Sequence, residues 1–186
     1  MPPLQHFVLH ETVRLIVFAG IPLYWTFRRA GIPLTTLGLK FSWRSLALGL
    51  GIGLGYAAAG VLVGVFLQGR EFHPRYGQVS FWTTGFGLAT LVEELSFRSF
   101  FLGVLHFRSP AFAVICSAAC FALIHVPGWW FLHLVTSGAA LAAQLASVFL
   151  LGCVLAVVFR HTRSFYAVVI IHALNNVAAA SLQQAA

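Results

Sequence analysis

Two stretches of this chain, from Ser45 to Leu67 and from Ser137 to Phe159, each run for 23 residues without one charged side chain. About 20 helical residues cross a hydrocarbon layer, and a helix satisfies its own backbone N–H and C=O groups where water cannot. Such runs commit the chain to a membrane, and the composition agrees: 60% of residues are hydrophobic, 8% are charged and the mean hydropathy is +0.90. The longest polar intervals, Arg28 to Arg44 and Gln68 to Ser80, are too short to fold separately and read as loops. Residues 1–186 are therefore expected to form a single all-α, polytopic membrane bundle.

Apolar runs and their breaks predict six helices, at about 7–27, 45–67, 81–106, 111–135, 139–159 and 165–183. The first carries Glu11 and Arg14 near its start and Pro22 inside, and Arg28 and Arg29 follow its apolar core where a signal peptide would place a small-residue cleavage site. In this arrangement Arg28, Arg29, Lys40, Arg44, Arg108, Arg160 and Arg163 fall on one side, and only Arg70 and Arg75 on the other. The positive-inside bias puts the richer side in the cytoplasm and both termini outside. Trp25, Trp43, Trp82, Trp129 and Trp130 fall near expected helix ends and read as an interfacial aromatic belt. The second helix carries Gly49/Gly53 and Gly60/Gly64, spacings of four that make small faces for close helix packing. A glycine-rich phosphate cradle is excluded there, since no strand precedes it and no Lys follows.

The net charge of +7 does not indicate nucleic acid, because the basic residues flank apolar spans instead of lining one soluble face. Cys116, Cys120 and Cys153 all lie within apolar spans, where free Cys behaves as a small hydrophobe. They leave the redox compartment open. His6, His10, His73, His106, His133 and His161 lie in the N-terminal segment, in loops or near helix ends and read as interfacial or solvated.

The chain has only four acidic residues, and two of them, Glu93 and Glu94, are adjacent in the middle of an apolar segment. Carboxylates at bilayer depth are costly, face a bundle interior or a wet cavity, and mark functional sites. Helical geometry sets Glu94 and Arg98 one turn apart on one face and turns Glu93 about 100° away. One carboxylate then pairs with the guanidinium while its neighbour suits a general base. The same spacing of four joins Phe121 to His125, with Pro127 beyond it, and joins His172 to Asn176, with Asn175 alongside. A structural ion pair, a satisfied core histidine or interhelical hydrogen bonding explains any one of these motifs alone. Two Glu, one Arg, two His and an Asn in three helices exceed what such glue requires, and their expected depths let Glu93, His125 and His172 converge in one cavity.

In that order, Glu93-Glu94-x-x-x-Arg98, Phe121-x-x-x-His125 and His172-x-x-x-Asn176 resemble the CPBP family, the CAAX proteases and bacteriocin-processing (Abi) intramembrane glutamic endopeptidases. The resemblance covers about half of the chain, a motif-bearing core at about 81–183. It implies that Glu93 and His125 activate a water, Glu94 and Arg98 position and charge-tune the site, and His172 with Asn176 stabilise the oxyanion. No cofactor is implied. Its substrates would be proteins or peptides with a membrane-associated segment, such as prenylated carboxyl-terminal motifs, bacteriocin-type leaders or sorting helices. The compact chain points to a bacterial plasma membrane. Peptide hydrolysis needs a base for water and donors for the developing negative charge, and a Glu/His pair with a His/Asn pair supplies both.

Three alternatives stand beside this reading. One Glu and two His could hold Zn²⁺ with a water in the fourth position, although no His-Glu-x-x-His pair is present. Buried carboxylates also suit a proton-coupled transporter, although no inverted repeat of broken helices is visible. A non-catalytic immunity or scaffold protein of the same fold would keep the site for binding alone.

Overall fold

The computed structural model describes residues 16–28, 33–74, 77, 82, 87–104, 108–131 and 133–184. Within them the chain is mostly helical. A π-helical turn, Ile16–Gly20, enters α1 (Ile21–Arg28), and a 3-10 turn, Leu34–Leu37, precedes α2 (Trp43–Leu62), which continues as a π-helical stretch, Val63–Leu67. After strand β1 (Arg70–Phe72) come α3 (Leu88–Glu94) and its π-helical continuation Leu95–Leu102, then α4 (Pro110–Leu123), α5 (His125–Phe131), α6 (Gly138–Thr162), α7 (Phe165–Ala180) and strand β2 (Leu182–Gln184).

Among the described residues, three apolar helical stretches are long enough to cross a membrane: Trp43–Leu67 and Gly138–Thr162 with 25 residues each, and Pro110–Trp130, which includes the turn at Ile124, with 21. At 1.5 Å per residue they measure about 38 and 32 Å, against a hydrocarbon core of about 30 Å. The apolar α7, with 16 residues, measures only about 24 Å. Of the six expected spans, the first is described only from residue 16 onward, so Glu11 and Arg14 lie outside the described residues, as do 81, 83–86 and 105–106 of the third.

Four helices begin at a serine. The Oγ atoms of Ser42, Ser109, Ser137 and Ser164 accept from the backbone N–H groups of Ser45, Phe112, Ala140 and Ala167 at 3.2–3.4 Å. Each cap satisfies an N–H that the first helical turn leaves without a partner, and Pro110 at N1 sacrifices no bond. Between α6 and α7 the chain turns within two residues. Arg163 adopts a left-handed conformation (φ 48°) and Ser164 caps the next helix, which folds α7 back against α6.

The most extensive helix contact joins α2 to α7. A Cβ on Gly49 would stand 2.7 Å from the Ala167 carbonyl oxygen, and one on Gly53 would stand 3.1 Å from Ile171 Cα. Only glycine permits that approach, so the expected Gly49/Gly53 face is a packing face. Gly60 has nothing within 4 Å of its Cβ direction, and Gly64 packs alone, on Leu182. The expected Gly60/Gly64 face is therefore not formed as a pair. Between α3, α4, α6 and α7 lies a core that includes Phe97, Phe121, Leu155, Phe159, Val168 and Ile171.

Three further expectations are corrected. The helix expected at 111–135 is interrupted at Ile124, because Pro127 has no N–H for the Leu123 carbonyl and its ring crowds that position. Residues 70–72, expected as loop, pair antiparallel with 182–184 in the register Arg70↔Gln184, Glu71↔Gln183 and Phe72↔Leu182, which adds a short ribbon to the helical bundle. Trp129, assigned to the aromatic belt, is 8% exposed and packs inside, while Trp25, Trp43, Trp82 and Trp130 are exposed.

Candidate active site

Glu94 and Arg98 occupy consecutive turns where α3 passes into its π-helical stretch, and both are fully buried. Irregular winding of this kind is frequent at functional sites. Glu94 Oε1 accepts from Arg98 Nη1 at 3.2 Å and from His172 Nδ1 on α7 at 2.7 Å. Arg98 also donates through Nη2 to the Gly152 carbonyl on α6 at 3.3 Å, and its guanidinium carbon stands 4.2 Å from the centroid of the Phe121 ring. A buried guanidinium is tolerable only with such compensation: one carboxylate, one carbonyl and one aromatic face.

Phe121 is the hub. Its ring meets the rings of Phe97, His125 and His172 edge to face at 5.5, 5.0 and 5.5 Å. Its carbonyl accepts from His125 Nδ1 at 2.7 Å, which fixes that nitrogen as the donor and turns Nε2 toward α3. On the other side of His125, Trp129 lies one turn along α5 with its ring 5.6 Å away.

Glu93 Oε2 stands 3.9 Å from Nε2 of His125 and 3.9 Å from Nε2 of His172. The Glu93 side chain is 13% exposed, against 0% for Glu94. Adjacent glutamates thus occupy different environments, one sealed in an ion pair and one slightly exposed between two imidazoles. A carboxylate placed between two imidazole nitrogens is an arrangement in which general acid–base chemistry is possible.

Asn176 is one turn beyond His172, and its Nδ2 donates to Thr90 Oγ1 on α3 at 3.3 Å, while Asn175 donates to Asn176 Oδ1 at 3.4 Å. The structure therefore brings Glu93, Glu94, Arg98, His125 and His172 into one cluster and ties Asn176 to its margin through Thr90. Thr90, Gly152 and Trp129 were not singled out by motif spacing. Gly152 contributes its backbone, Thr90 lies four residues before Glu94, and Trp129 lies four after His125. That helical spacing was the signal available for the last two.

Among the described residues, no group of three or more His, Cys, Asp or Glu side chains is placed to hold a metal ion.

All seven motif residues fall within residues 75–178, the segment matched by a family model described as type II CAAX prenyl endopeptidase Rce1-like. No curated protein and no solved structure matches the chain. The match extends over more than half of the 186 residues. The chain belongs to the Rce1-like family of type II CAAX prenyl endopeptidases, a membrane-protease group within the CPBP family.

Proposed function

We propose that this protein is an intramembrane endopeptidase in which Glu93 and His125 together activate the hydrolytic water. The observation that carries this reading is the position of Glu93 Oε2, 3.9 Å from the Nε2 atoms of both His125 and His172. That separation exceeds a direct hydrogen bond and fits one water held between carboxylate and imidazole. A proton leaving that water passes to the Glu93/His125 pair, and the hydroxide attacks the carbonyl carbon of the scissile peptide. The same proton is then delivered to the departing amine, so the pair serves as base and then as acid.

His172 supports the oxyanion in this scheme. Its Nδ1–H is held by Glu94, so protonation at Nε2 yields an imidazolium stabilised by a buried carboxylate and aimed toward Glu93. Asn176 uses one amide hydrogen on Thr90, and its second amide hydrogen can reach toward the oxyanion from the next turn. Glu94 and Arg98 contribute by orientation and charge balance, without touching substrate. The substrate in this reading is a protein or peptide presented by a membrane-associated segment, processed by the whole chain as a single peptidase domain without a bound metal. The basic side, with Arg44, Arg108, Arg160 and Arg163, faces the cytoplasm.

The test is cleavage of membrane-tethered peptides by purified protein in detergent or liposomes, read by mass spectrometry. Glu93→Gln and His125→Ala should each lower turnover by about 10²–10⁴-fold, the usual contribution of a positioned acid–base group, while leaving the melting curve in place. Undiminished turnover in either variant removes the reading.

A further inference from the structure

Thr90 is fully buried on α3 and stands outside all three sequence motifs. A hydroxyl sealed in an apolar bundle is costly unless it is hydrogen-bonded, and its Oγ1 accepts from Asn176 Nδ2 on α7 at 3.3 Å. Three and four residues further along α3, Glu93 and Glu94 flank its side of the helix. This stretch of α3 thus presents one polar patch, and α7 answers it with His172 and Asn176, themselves one turn apart. Glu94 Oε1 meets His172 Nδ1 at 2.7 Å, Glu93 Oε2 stands 3.9 Å from Nε2 of the same imidazole, and Thr90 meets Asn176 a turn away. The helices run antiparallel here, so Glu94–His172 and Thr90–Asn176 are two rungs of one ladder.

The second rung bears on chemistry as well as packing. A primary amide offers an acceptor oxygen on one side and two N–H donors on the other. Asn176 is held at both: Oδ1 accepts from Asn175 Nδ2 at 3.4 Å, and Nδ2 donates to Thr90. Those bonds fix which way the amide faces and leave Nδ2 one N–H for a further acceptor. With the Thr90 oxygen removed, the amide is free to turn its own oxygen toward a developing negative charge, which that oxygen repels.

We propose that Thr90 is a positioning residue for the hydrolysis: its hydroxyl oxygen orients the Asn176 amide so that an N–H, and not the carbonyl, meets the oxyanion. The inference rests on the peptidase reading above. Thr90 itself touches neither substrate nor water in this scheme and acts only through Asn176.

The test is steady-state cleavage of a membrane-tethered peptide by the purified full-length protein, with a thermal melt of each variant. Thr90→Val keeps the branched shape and removes the acceptor, whereas Thr90→Ser keeps the acceptor and removes a methyl group. Thr90→Val should lower kcat by about tenfold, less than the roughly 10²–10³-fold loss on removing an oxyanion donor outright, and should leave KM within about twofold, as a group felt only in the transition state does. Thr90→Ser should restore kcat to within about twofold of wild type, because the hydrogen bond is regained. Asn176→Ala should fall by about 10²–10³-fold, and adding Thr90→Val to it should cost nothing more, since coupled residues are not additive. Thr90→Ala supplies the same comparison if Thr90→Val does not fold. Wild-type kcat in Thr90→Val, a Thr90→Ser variant as slow as Thr90→Val, or an equal loss from Thr90→Val in the Asn176→Ala background makes Thr90 a packing residue and overturns the assignment, while Glu93-dependent cleavage by the wild type keeps the peptidase reading. Absence of any Glu93-dependent cleavage overturns both.

Discussion

Replacing Glu94 with glutamine keeps the shape of a fully buried side chain and removes its charge. Arg98 then remains in the core with the Gly152 carbonyl and the Phe121 ring as its compensation. Attraction between unit charges 3.2 Å apart is about 5 kcal/mol at an effective dielectric of about 20. Removal of one member of a buried ion pair costs about 3–5 kcal/mol, so the two figures agree. For a chain of this size each kcal/mol corresponds to about 2–4 °C in melting temperature, and Glu94→Gln should lower the melting temperature in detergent by about 10 °C. The double variant Glu94→Gln/Arg98→Met withdraws both charges, and since neutral replacement of a buried pair is neutral or stabilising, most of that loss should return. Peptide cleavage should not return with it, because His172 Nδ1 would face an amide where it now faces a carboxylate 2.7 Å away. A single variant that melts within about 2 °C of wild type, or a double variant less stable than the single, would refute the assignment of Glu94–Arg98 as a mutually dependent buried pair.

Gly53→Leu should pry α2 from α7, because its Cβ would start 3.1 Å from Ile171 Cα; an overpacking cost of about 1–3 kcal/mol is expected in thermal melts. Gly55→Leu, which meets nothing within 4 Å, is the matched control and should be close to neutral. Cleavage by the purified protein should survive incubation with a strong zinc chelator; loss of activity restored by added Zn²⁺ would replace the glutamate-and-water scheme with a metal-assisted one.

The motifs that could be read from the sequence are those whose geometry is local. Glu94 with Arg98, Phe121 with His125 and His172 with Asn176 each sit four residues apart, and the helix alone determines that the members of each pair are neighbours. Convergence of the three helices could be argued from the cost of stranding so many polar groups in lipid. The partners that complete the cluster are distant in sequence: His172 reaches Glu94 across 78 positions, Asn176 reaches Thr90 across 86 and Arg98 reaches the Gly152 carbonyl across 54. Helices that are apolar on every side carry little periodic signal about which face turns inward. That is why Trp129 read as an interfacial residue although it packs on His125. The ribbon was illegible for a different reason, since three residues are too few for an alternating pattern. The interruption at Ile124 had a local cue in Pro127, whose missing N–H and ring act on the Leu123 carbonyl one turn earlier.

The helix that carries His172 and Asn176 is moored at both of its ends to segments that flank α2 in the chain. At one end the Phe165 N–H donates to the Gly38 carbonyl at 2.9 Å, and at the other the His73 N–H donates to the Ser181 carbonyl at 2.7 Å beside the β1–β2 ribbon. With Gly49 and Gly53 seated against its backbone between these moorings, α7 has little freedom to roll or slide on its neighbour. On the peptidase reading α7 is the stationary side of the candidate site, and widening to admit a peptide falls to the opposite side, where α5 is a separate seven-residue segment flanked by the break at Ile124 and the turn at His133.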